Sequence, residues 1–293
     1  MTAAVPPAWL DRTEYPFRSR WFDAPAGRMH YVDEGQGDPI VMVHGTPTWS
    51  FLYRHLIRAL RDEYRCVAAD QLGFGLSEAP EDFSYLPADH ARNLSAFIEA
   101  LALRDFTLVV HDYGGPIGLA YALDHPENVR RLVLLNTWMW SFAGQPRFEW
   151  FGRIFATRLG RAVYARGFST RMMLRHAIVD KSRVPAAVLR HYDAALATPL
   201  RRHATWVLAR EVASSGEWYD SLWQRRDRIA RHPALLLWGM KDPAFGAVLP
   251  RWRTVFEHAT VVELSGAGHA PQEERAPEIV PVIREFLSKE RAR

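Results

Sequence analysis

The chain has 293 residues, of which 48% are hydrophobic and 24% charged, so it is long enough for one large domain with a sizeable buried core. Its 37 basic and 33 acidic side chains give a net charge of +4 and are interspersed, which argues against a nucleic-acid-binding protein with a basic stripe. The single cysteine, Cys66, excludes an intramolecular disulfide and a cysteine-rich metal cluster. No apolar run approaches the ~18 residues of a membrane span and no signal peptide is evident, so we expect a cytoplasmic protein.

Short apolar segments bounded by turn residues alternate with helical patterns along most of the chain. The predicted buried strands cover residues 40–43, 66–69, 107–110, 131–135, 234–238 and 260–264, after a hairpin within residues 19–34. The predicted helices cover roughly residues 49–61, 88–102, 115–124 and 277–290. Continuous apolar strands that alternate with helices are typical of a parallel sheet with right-handed crossovers. The sequence therefore predicts an α/β fold.

The alternation of strands and helices is interrupted once, between Asn136 and Pro233. The intervening segment is helical in pattern and rich in arginine and aromatic residues. We expect residues 139–215 to form a helical cap, inserted into a core made of residues 1–138 and 216–293. The chain has 11 Trp, 10 Tyr and 15 Phe, and 10 of these 36 aromatic residues lie in the cap. This composition suggests an apolar substrate chamber.

One predicted strand runs into a helix through small residues, in the sequence VVHDYGGPIG at residues 109–118. This order is typical of a nucleophile elbow, a strained turn that exposes one side chain at the carboxyl end of the sheet. The exposed side chain would be Asp112, and because the chain contains no Gly-X-Ser-X-Gly, a serine esterase is not favoured. A carboxylate with a pKa near ~3.9 is an anion at neutral pH. It can attack an alkyl carbon without a base and leaves an ester that must then be hydrolysed.

Hydrolysis of an ester on Asp112 requires a base, for which His269 is the best candidate among the 12 histidines. It follows the last predicted strand in a glycine-containing loop, where such folds place their sites. Asp242 directly follows another strand and is the candidate to orient His269, whereas no carboxylate follows the strand that ends near Asn136. The alternative for Asp242 is a plain turn residue before proline. The chain order Asp112, Asp242, His269 matches nucleophile, acid and base.

The turn HGTPTW at residues 44–49 leaves the first long apolar strand. We expect the backbone N–H groups of Thr46 and Tyr113 to point at the oxyanion that forms on the Asp112 ester. A second glycine-rich loop, residues 70–77, lacks the lysine of a P-loop and the full Gly-X-Gly-X-X-Gly of a dinucleotide site. We interpret that loop as structural and Cys66 as a buried apolar residue.

These motifs resemble those of the α/β-hydrolase superfamily, and within it the haloalkane dehalogenases and their close relatives. The resemblance rests on residues 44–54, 70–77, 111–118, 238–242 and 266–269, and it covers nearly the whole chain. It implies an α/β-hydrolase fold, with a mostly parallel eight-stranded sheet and an inserted helical cap. It also implies that a carboxylate displaces halide from a small apolar substrate, that water is the co-substrate, and that no cofactor or metal takes part.

Two positions differ from the pattern of the dehalogenases. Such enzymes usually have tryptophan directly after the nucleophile and often asparagine in the oxyanion turn, and both donate N–H to the leaving halide. This chain has Tyr113 and Thr46 there, whose hydroxyls differ from an indole or amide N–H in reach and direction. Trp49 and Trp138 are further candidates for binding halide or substrate.

Three alternatives remain open at this point. Epoxide hydrolases share the aspartate nucleophile and use cap tyrosines as proton donors, for which Tyr164 and Tyr192 are available. The arginine-rich segment 146–153 is similar to that of enzymes that act on β-lactones. A non-catalytic protein that binds an apolar ligand is the third alternative, although it would not need the three candidate catalytic residues together. The sequence does not specify an oligomeric state or a physiological substrate.

Overall fold

One eight-stranded sheet forms the centre of the protein, whose computed structural model describes residues 7–166 and 174–289. The strands are β1 Arg20–Ala24, β2 Gly27–Glu34, β3 Pro39–Val43, β4 Arg65–Ala69, β5 Phe106–Asp112, β6 Val129–Thr137, β7 Ala234–Gly239 and β8 Thr260–Leu264. They lie in the order β1-β2-β4-β3-β5-β6-β7-β8. The pairs β1–β2 and β2–β4 are antiparallel and the remaining pairs are parallel. The predicted fold, with a mostly parallel sheet, is confirmed.

The helices of the described residues have the following bounds. They are α1 Arg54–Leu60, α2 Pro87–Ala100, α3 Gly114–Asp124, α4 Pro146–Ala156, α5 Arg158–Ala165, α6 Ala186–Ala195, α7 Pro199–Ser214, α8 Gly216–Gln224, α9 Leu249–Arg253, α10 Pro271–Glu274 and α11 Ala276–Lys289. The helix predicted from residue 49 begins as a 3-10 turn, Ser50–Tyr53, that continues into α1. None of these helices combines the length and the apolar character that crossing a membrane requires, which holds for residues 7–166 and 174–289.

Successive side chains of the central strands enter two different hydrophobic clusters, because neighbours on a strand point to opposite faces of the sheet. On β5, Leu108 and Val110 join a cluster with residues of α2 and α3. Val109 joins a second cluster that includes residues of α1 and α11. Strand β5 is buried along its whole length, as expected for a parallel strand with both faces covered. This burial explains why the strand reads as a continuous apolar run in the sequence.

Helices α4 to α7 lie between β6 and β7 in the chain and fall within residues 139–215. We refer to these residues as the predicted cap. Its residues 167–173, including Phe168, lie outside the described residues. The connections that leave β5, β6 and β7 and the loop after β8 all start at the same edge of the sheet, because these strands are parallel. The candidate site residues follow these strand ends.

Candidate active site

Asp112 is the last residue of β5, and its backbone is held in an unusual conformation. Its φ is +51°, in the left-handed region that L side chains rarely adopt. The Thr137 hydroxyl donates to the Asp112 carbonyl at 2.5 Å. A Cβ on Gly115 would lie 1.7 Å from that hydroxyl oxygen, so a residue with no side chain is needed there. The strand-to-helix turn is therefore tightly packed around Asp112, as in the predicted elbow.

The turn after β3 contacts the Asp112 carboxylate directly. The backbone N–H of Thr46, which we expect to be one oxyanion donor, donates to Asp112 Oδ1 at 2.8 Å. A Cβ on Gly45 would lie 2.2 Å from Asp112 Oδ1 and 2.5 Å from the Tyr113 nitrogen. The two backbone nitrogens expected at the oxyanion site, those of Thr46 and Tyr113, therefore lie close to the same carboxylate.

His269 lies between two carboxylates. Its Nε2 is 3.4 Å from Asp112 Oδ2, and its Nδ1 is 2.8 Å from Asp242 Oδ2. The Asp242 side chain is fully buried, and its other oxygen accepts the Ala244 N–H at 2.7 Å. The structure thus brings together the three side chains proposed from the sequence, although 157 positions separate the first from the last.

These carboxylates control the protonation of His269. Burial by itself lowers the pKa of His269, but the Asp242 carboxylate and the hydrogen bonds to both aspartates raise it, to about 10. Burial would raise the pKa of Asp242, but the charge and hydrogen bond of His269 hold that pKa below its usual value. Conversion of Asp112 to a neutral ester removes one of the two negative neighbours, so the pKa of His269 falls at that stage.

Asn136 was not recognised from the sequence as a site residue. Its Nδ2 donates to Asp242 Oδ2 at 2.9 Å and to the Gly239 carbonyl at 3.0 Å. Its Oδ1 accepts the Gly239 N–H at 2.7 Å, and its φ is +33°. The amide therefore fixes the start of the loop that carries Asp242. The one sequence feature that could have identified it is the position of a polar residue, Asn136, directly after the apolar strand predicted at residues 131–135.

Glu274 is a second residue that the sequence did not reveal. Its buried carboxylate accepts the Gly268 N–H at 2.9 Å on Oε1. Its Oε2 accepts the N–H groups of Val179 and Asp180 at 2.9 and 3.0 Å. Glu274 therefore ties the loop that carries His269 to the predicted cap. No sequence signal identifies it, since two adjacent glutamates on a helix usually face solvent.

The Tyr113 hydroxyl takes part in a contact with the predicted cap. It donates to the Leu208 carbonyl of α7 at 2.5 Å and accepts the Tyr219 hydroxyl at 3.1 Å. Burial holds the pKa of Tyr113 well above its usual value, so the hydroxyl stays protonated. The hydroxyl considered for the leaving group is thus engaged by the backbone of α7.

Two candidate donors in contact with the nucleophile turn have no hydrogen-bond partner within residues 7–166 and 174–289. These are the Thr46 hydroxyl and the Trp138 indole N–H, and both are buried. The Trp138 ring meets Tyr113 edge-on at 4.8 Å and stacks on Phe245 at 4.5 Å. The Phe245 ring in turn lies 5.7 Å from His269. Trp138 is therefore a neighbour of the nucleophile turn.

Trp49 occupies a different environment from Trp138. Its ring packs at 5.9 Å from Trp9 and 5.1 Å from Tyr15, and it stacks on Phe51 at 5.3 Å. Its indole N–H likewise has no partner among the described atoms. The contacts place Trp49 in the cluster formed with the N-terminal segment.

The two tyrosines considered as epoxide proton donors are separated by the fold. Tyr192 donates its hydroxyl to Glu273, which forms a buried ion pair with Arg54. Tyr164 is buried, and burial together with the Asp112 carboxylate raises its pKa above the usual value.

Comparisons with known proteins give the family of the chain. Residues 38–276 match the family model of the alpha/beta hydrolase fold. Over 275 residues the chain is 39% identical to haloalkane dehalogenase 2 of Mycobacterium tuberculosis, with 92% of this chain and 95% of that protein covered. Over 290 residues it is 32% identical to the cis-3-alkyl-4-alkyloxetan-2-one decarboxylase of Shewanella oneidensis, with 94% and 90% covered.

Solved structures give the same result. The haloalkane dehalogenase DatA from Agrobacterium tumefaciens superimposes with a TM-score of 0.81 at 26% identity, covering 93% of this chain and 97% of that one. An ancestral haloalkane dehalogenase superimposes with a TM-score of 0.82, also at 26% identity, covering 94% and 100%. The chain belongs to the α/β-hydrolase family, in its haloalkane dehalogenase-like branch.

Proposed function

We propose that this protein is a hydrolase that forms a covalent ester on Asp112 and cleaves haloalkanes to an alcohol and a halide. The observation that carries the proposal is the pair of contacts on the Asp112 carboxylate. Its Oδ1 accepts the Thr46 N–H at 2.8 Å, and its Oδ2 lies 3.4 Å from His269 Nε2. The 39% identity to a protein named haloalkane dehalogenase 2 supports the choice of substrate class.

The first step is displacement at an alkyl carbon. A carboxylate oxygen of Asp112 forms a carbon–oxygen bond while the carbon–halogen bond breaks, and the halide leaves with the bonding electrons. We assign the leaving group to the Trp138 N–H and the Thr46 hydroxyl, because both are without a partner among the described residues and both lie beside the nucleophile, where the Thr46 N–H bonds to Asp112 and the Trp138 ring meets Tyr113 edge-on. The Trp49 N–H is equally unpartnered but packs among Trp9, Tyr15 and Phe51. A buried donor without a partner is costly unless a ligand satisfies it.

The second step is hydrolysis of the ester. Esterification removes a negative charge beside His269, which lowers its pKa, and His269 then loses its proton to solvent. Neutral His269, oriented by Asp242, then takes a proton from water, and the hydroxide adds to the Asp112 carboxyl carbon. The N–H groups of Thr46 and Tyr113 stabilise the resulting oxyanion. Collapse of this intermediate breaks the bond to the alkoxide, which takes the proton back and leaves as the alcohol.

We also propose that residues 139–215 act as a cap over this chemistry, with residues 1–138 and 216–293 as the core. The contact of Tyr113 with Leu208 supports this division, because it links the residue after the nucleophile to α7. The hydrogen bond from the His269 N–H to the Ala177 carbonyl, at 2.8 Å, supports it from the other side of the site.

Trapping the ester tests the proposal. A His269→Gln variant incubated with a bromoalkane, an epoxide or a β-lactone should accumulate an adduct on Asp112, which mass spectrometry of peptides localises. Asp112→Asn should form none, and His258→Gln, which changes an exposed histidine, should turn over like the wild type. No adduct with any substrate, and a wild type that releases neither halide nor diol, would instead favour a non-catalytic binding protein.

The leaving-group assignment has its own test. Trp138→Phe removes one N–H donor, and a hydrogen bond to a charged group is worth about 1.5–3 kcal/mol, so kcat/KM should fall about 10- to 100-fold. The loss should be largest for chloroalkanes and smallest for iodoalkanes, since chloride is the poorest leaving group. Trp49→Phe is the matched control, because it removes an equally unpartnered N–H among Trp9, Tyr15 and Phe51. Equal losses for all halides would place the leaving group elsewhere.

A β-lactone is the second candidate substrate. The relative of Shewanella oneidensis is named for an oxetan-2-one, which is a β-lactone, and it matches 94% of this chain. Attack of Asp112 on the alkyl carbon of such a ring would expel a carboxylate in place of a halide. An adduct that retains the mass of the whole lactone, together with absent halide release, would favour this substrate. Formation of an epoxide adduct that is lost when Tyr164 is replaced would favour an epoxide as the substrate.

A further inference from the structure

The positive charge of the protein is concentrated in the predicted cap. Residues 139–215 contain 13 basic and 4 acidic side chains, a net charge of +9. The whole chain has 37 and 33, so the remaining residues contain 24 basic and 29 acidic side chains and carry −5. The net charge of +4 therefore hides two regions of opposite sign.

The exposed face of α4 combines arginines with large apolar side chains. Trp150 is 67% exposed, and Ile154, one turn later on the same face, is 38% exposed. Arg147 and Arg153 lie three residues from Trp150, one on each side, and Arg153 is 82% exposed. The opposite face of α4 packs against the rest of the protein. On that face Phe148 stacks on Phe142 at 3.8 Å.

Helix α5 follows α4 directly and adds further exposed residues. Its Gly160 lies so close to the end of α4 that a Cβ there would be 2.4 Å from the Ile154 carbonyl. Leu159, beside this contact, is 72% exposed, and Arg158 and Arg166 are also exposed. We call Arg153, Arg158 and Arg166 with Trp150, Ile154 and Leu159 the outer face of the predicted cap.

Few negative charges oppose this surface. Residues 146–166 contain five arginines and one acidic residue, Glu149. Glu149 lies 3.7 Å from Arg153 and accepts the Gly144 N–H at 2.9 Å. Arg161 lies over the ring of Trp206 at 5.5 Å, and Arg147 donates to the Pro243 carbonyl. The arginines that extend from the surface are thus mainly the three of the outer face.

We propose that the outer face of the predicted cap docks on the surface of an anionic membrane. At the boundary of a bilayer an indole ring occupies the headgroup level, aliphatic side chains reach the acyl chains, and guanidinium groups contact lipid phosphates. The mixture of exposed Trp, Ile and Leu with arginine matches this environment in both polarity and sign. The protein would lie on the membrane, since no helix of the described residues can span one. The inference does not depend on the proposed function.

Binding of the full-length protein to lipid vesicles tests the proposal. Vesicles that contain phosphatidylglycerol should bind the protein and float with it, whereas pure phosphatidylcholine vesicles should bind it at least about tenfold more weakly. Higher salt should weaken the binding, because exposed charges are screened within ~10 Å at 0.1 M ionic strength. A basic side chain near such a surface contributes about fivefold in affinity. The variant Arg153→Gln/Arg158→Gln/Arg166→Gln should therefore bind about 100-fold more weakly.

Matched variants separate a specific face from net charge. Arg12→Gln/Arg18→Gln/Arg20→Gln removes the same charge from exposed positions of the core and should leave vesicle binding within about twofold. Trp150→Ser/Leu159→Ser should weaken binding, whereas Met240→Ser, at an exposed apolar residue of the core, should not. All of these side chains are exposed, so the melting temperatures should stay close to that of the wild type. Absence of binding to anionic vesicles, or an equal loss in both triple variants, would overturn the proposal.

Discussion

The sheet edge around Asp112 and the outer face of the predicted cap use their side chains in opposite ways. At the sheet edge the polar groups are buried and fixed by short contacts, such as the 2.8 Å bonds of Thr46 to Asp112 and of His269 to Asp242. On the outer face, Trp150 and Leu159 have more than half of their surface exposed. Substitutions at the sheet edge should therefore affect chemistry, whereas those on the outer face should affect where the protein binds.

Polar contacts join the residues around the sheet edge to other parts of the predicted cap. The Tyr113 hydroxyl bonds to Leu208, and the Glu274 carboxylate bonds to Val179 and Asp180. Substitutions around Asp112 and at these contacts should show how far the chemistry depends on the predicted cap.

The largest effect is expected for Gly45→Ala. The added methyl group would lie 2.2 Å from Asp112 Oδ1 and 2.5 Å from the Tyr113 nitrogen, so the oxyanion turn must move. We expect kcat/KM to fall at least about 100-fold, the cost of losing one oxyanion donor. In Gly216→Ala the new methyl group meets only the Ser141 side chain, which can rotate away, so activity should persist. Near-normal activity of Gly45→Ala would show that catalysis does not require the close approach of Gly45 to Asp112 and Tyr113.

The protonation of His269 should depend on Asp112. With a pKa raised to about 10, His269 stabilises the fold fully below its unfolded pKa of about 6.5. This stabilisation is lost as pH rises towards 10, so the free energy of unfolding of the wild type should fall over that range relative to His269→Gln. Asp112→Asn should lower the His269 pKa, measured by NMR of the imidazole nitrogens, whereas Asp227→Asn at an exposed position should not. An unchanged titration in Asp112→Asn would contradict the proposed role of esterification.

Glu274→Gln should have an intermediate effect. An amide keeps one acceptor oxygen, so either Gly268 or the pair Val179 and Asp180 loses its partner, at a cost of about 1–3 kcal/mol. We expect kcat to fall about tenfold with little change in KM, and the Asp112 ester to accumulate, because the His269 loop is displaced. Glu278→Gln, one turn further along and exposed, is the control. A loss of stability with unchanged kcat would make Glu274 a structural residue only.

The smallest effect is expected for Tyr113→Phe. It removes the 2.5 Å hydrogen bond to Leu208, which is worth about 1 kcal/mol. Since we assign the leaving group to other donors, KM should rise a few-fold while the order of halide reactivity stays the same. Tyr121→Phe, which loses a hydrogen bond from Asn128 on the far side of α3, should leave both parameters unchanged. A changed order of reactivity among the halides would show that the Tyr113 hydroxyl contacts the leaving group.

Much of the fold could be predicted because its signals are local. Strand β5 and its parallel neighbours are buried on both faces, so their apolar runs coincide with the strands to within about two residues. The position of Asp112 was predictable for the same reason, since it ends one such run and precedes paired glycines. Asn136 and Glu274 could not be assigned, because their partners lie up to 106 positions away in the chain.

The sequence by itself determined the alternation of strands and helices and the presence of a carboxylate at the turn after β5, since periodicity and turn chemistry are properties of adjacent residues. The tertiary structure alone decided that the Tyr113 hydroxyl bonds to Leu208 and that Glu274 joins the His269 loop to Val179 and Asp180. It also decided that Trp150, Ile154 and Leu159 of α4 and α5 stay exposed beside arginines. These features arise from contacts between segments that are far apart in the chain. Such contacts form only when the helices pack against the sheet in the folded protein.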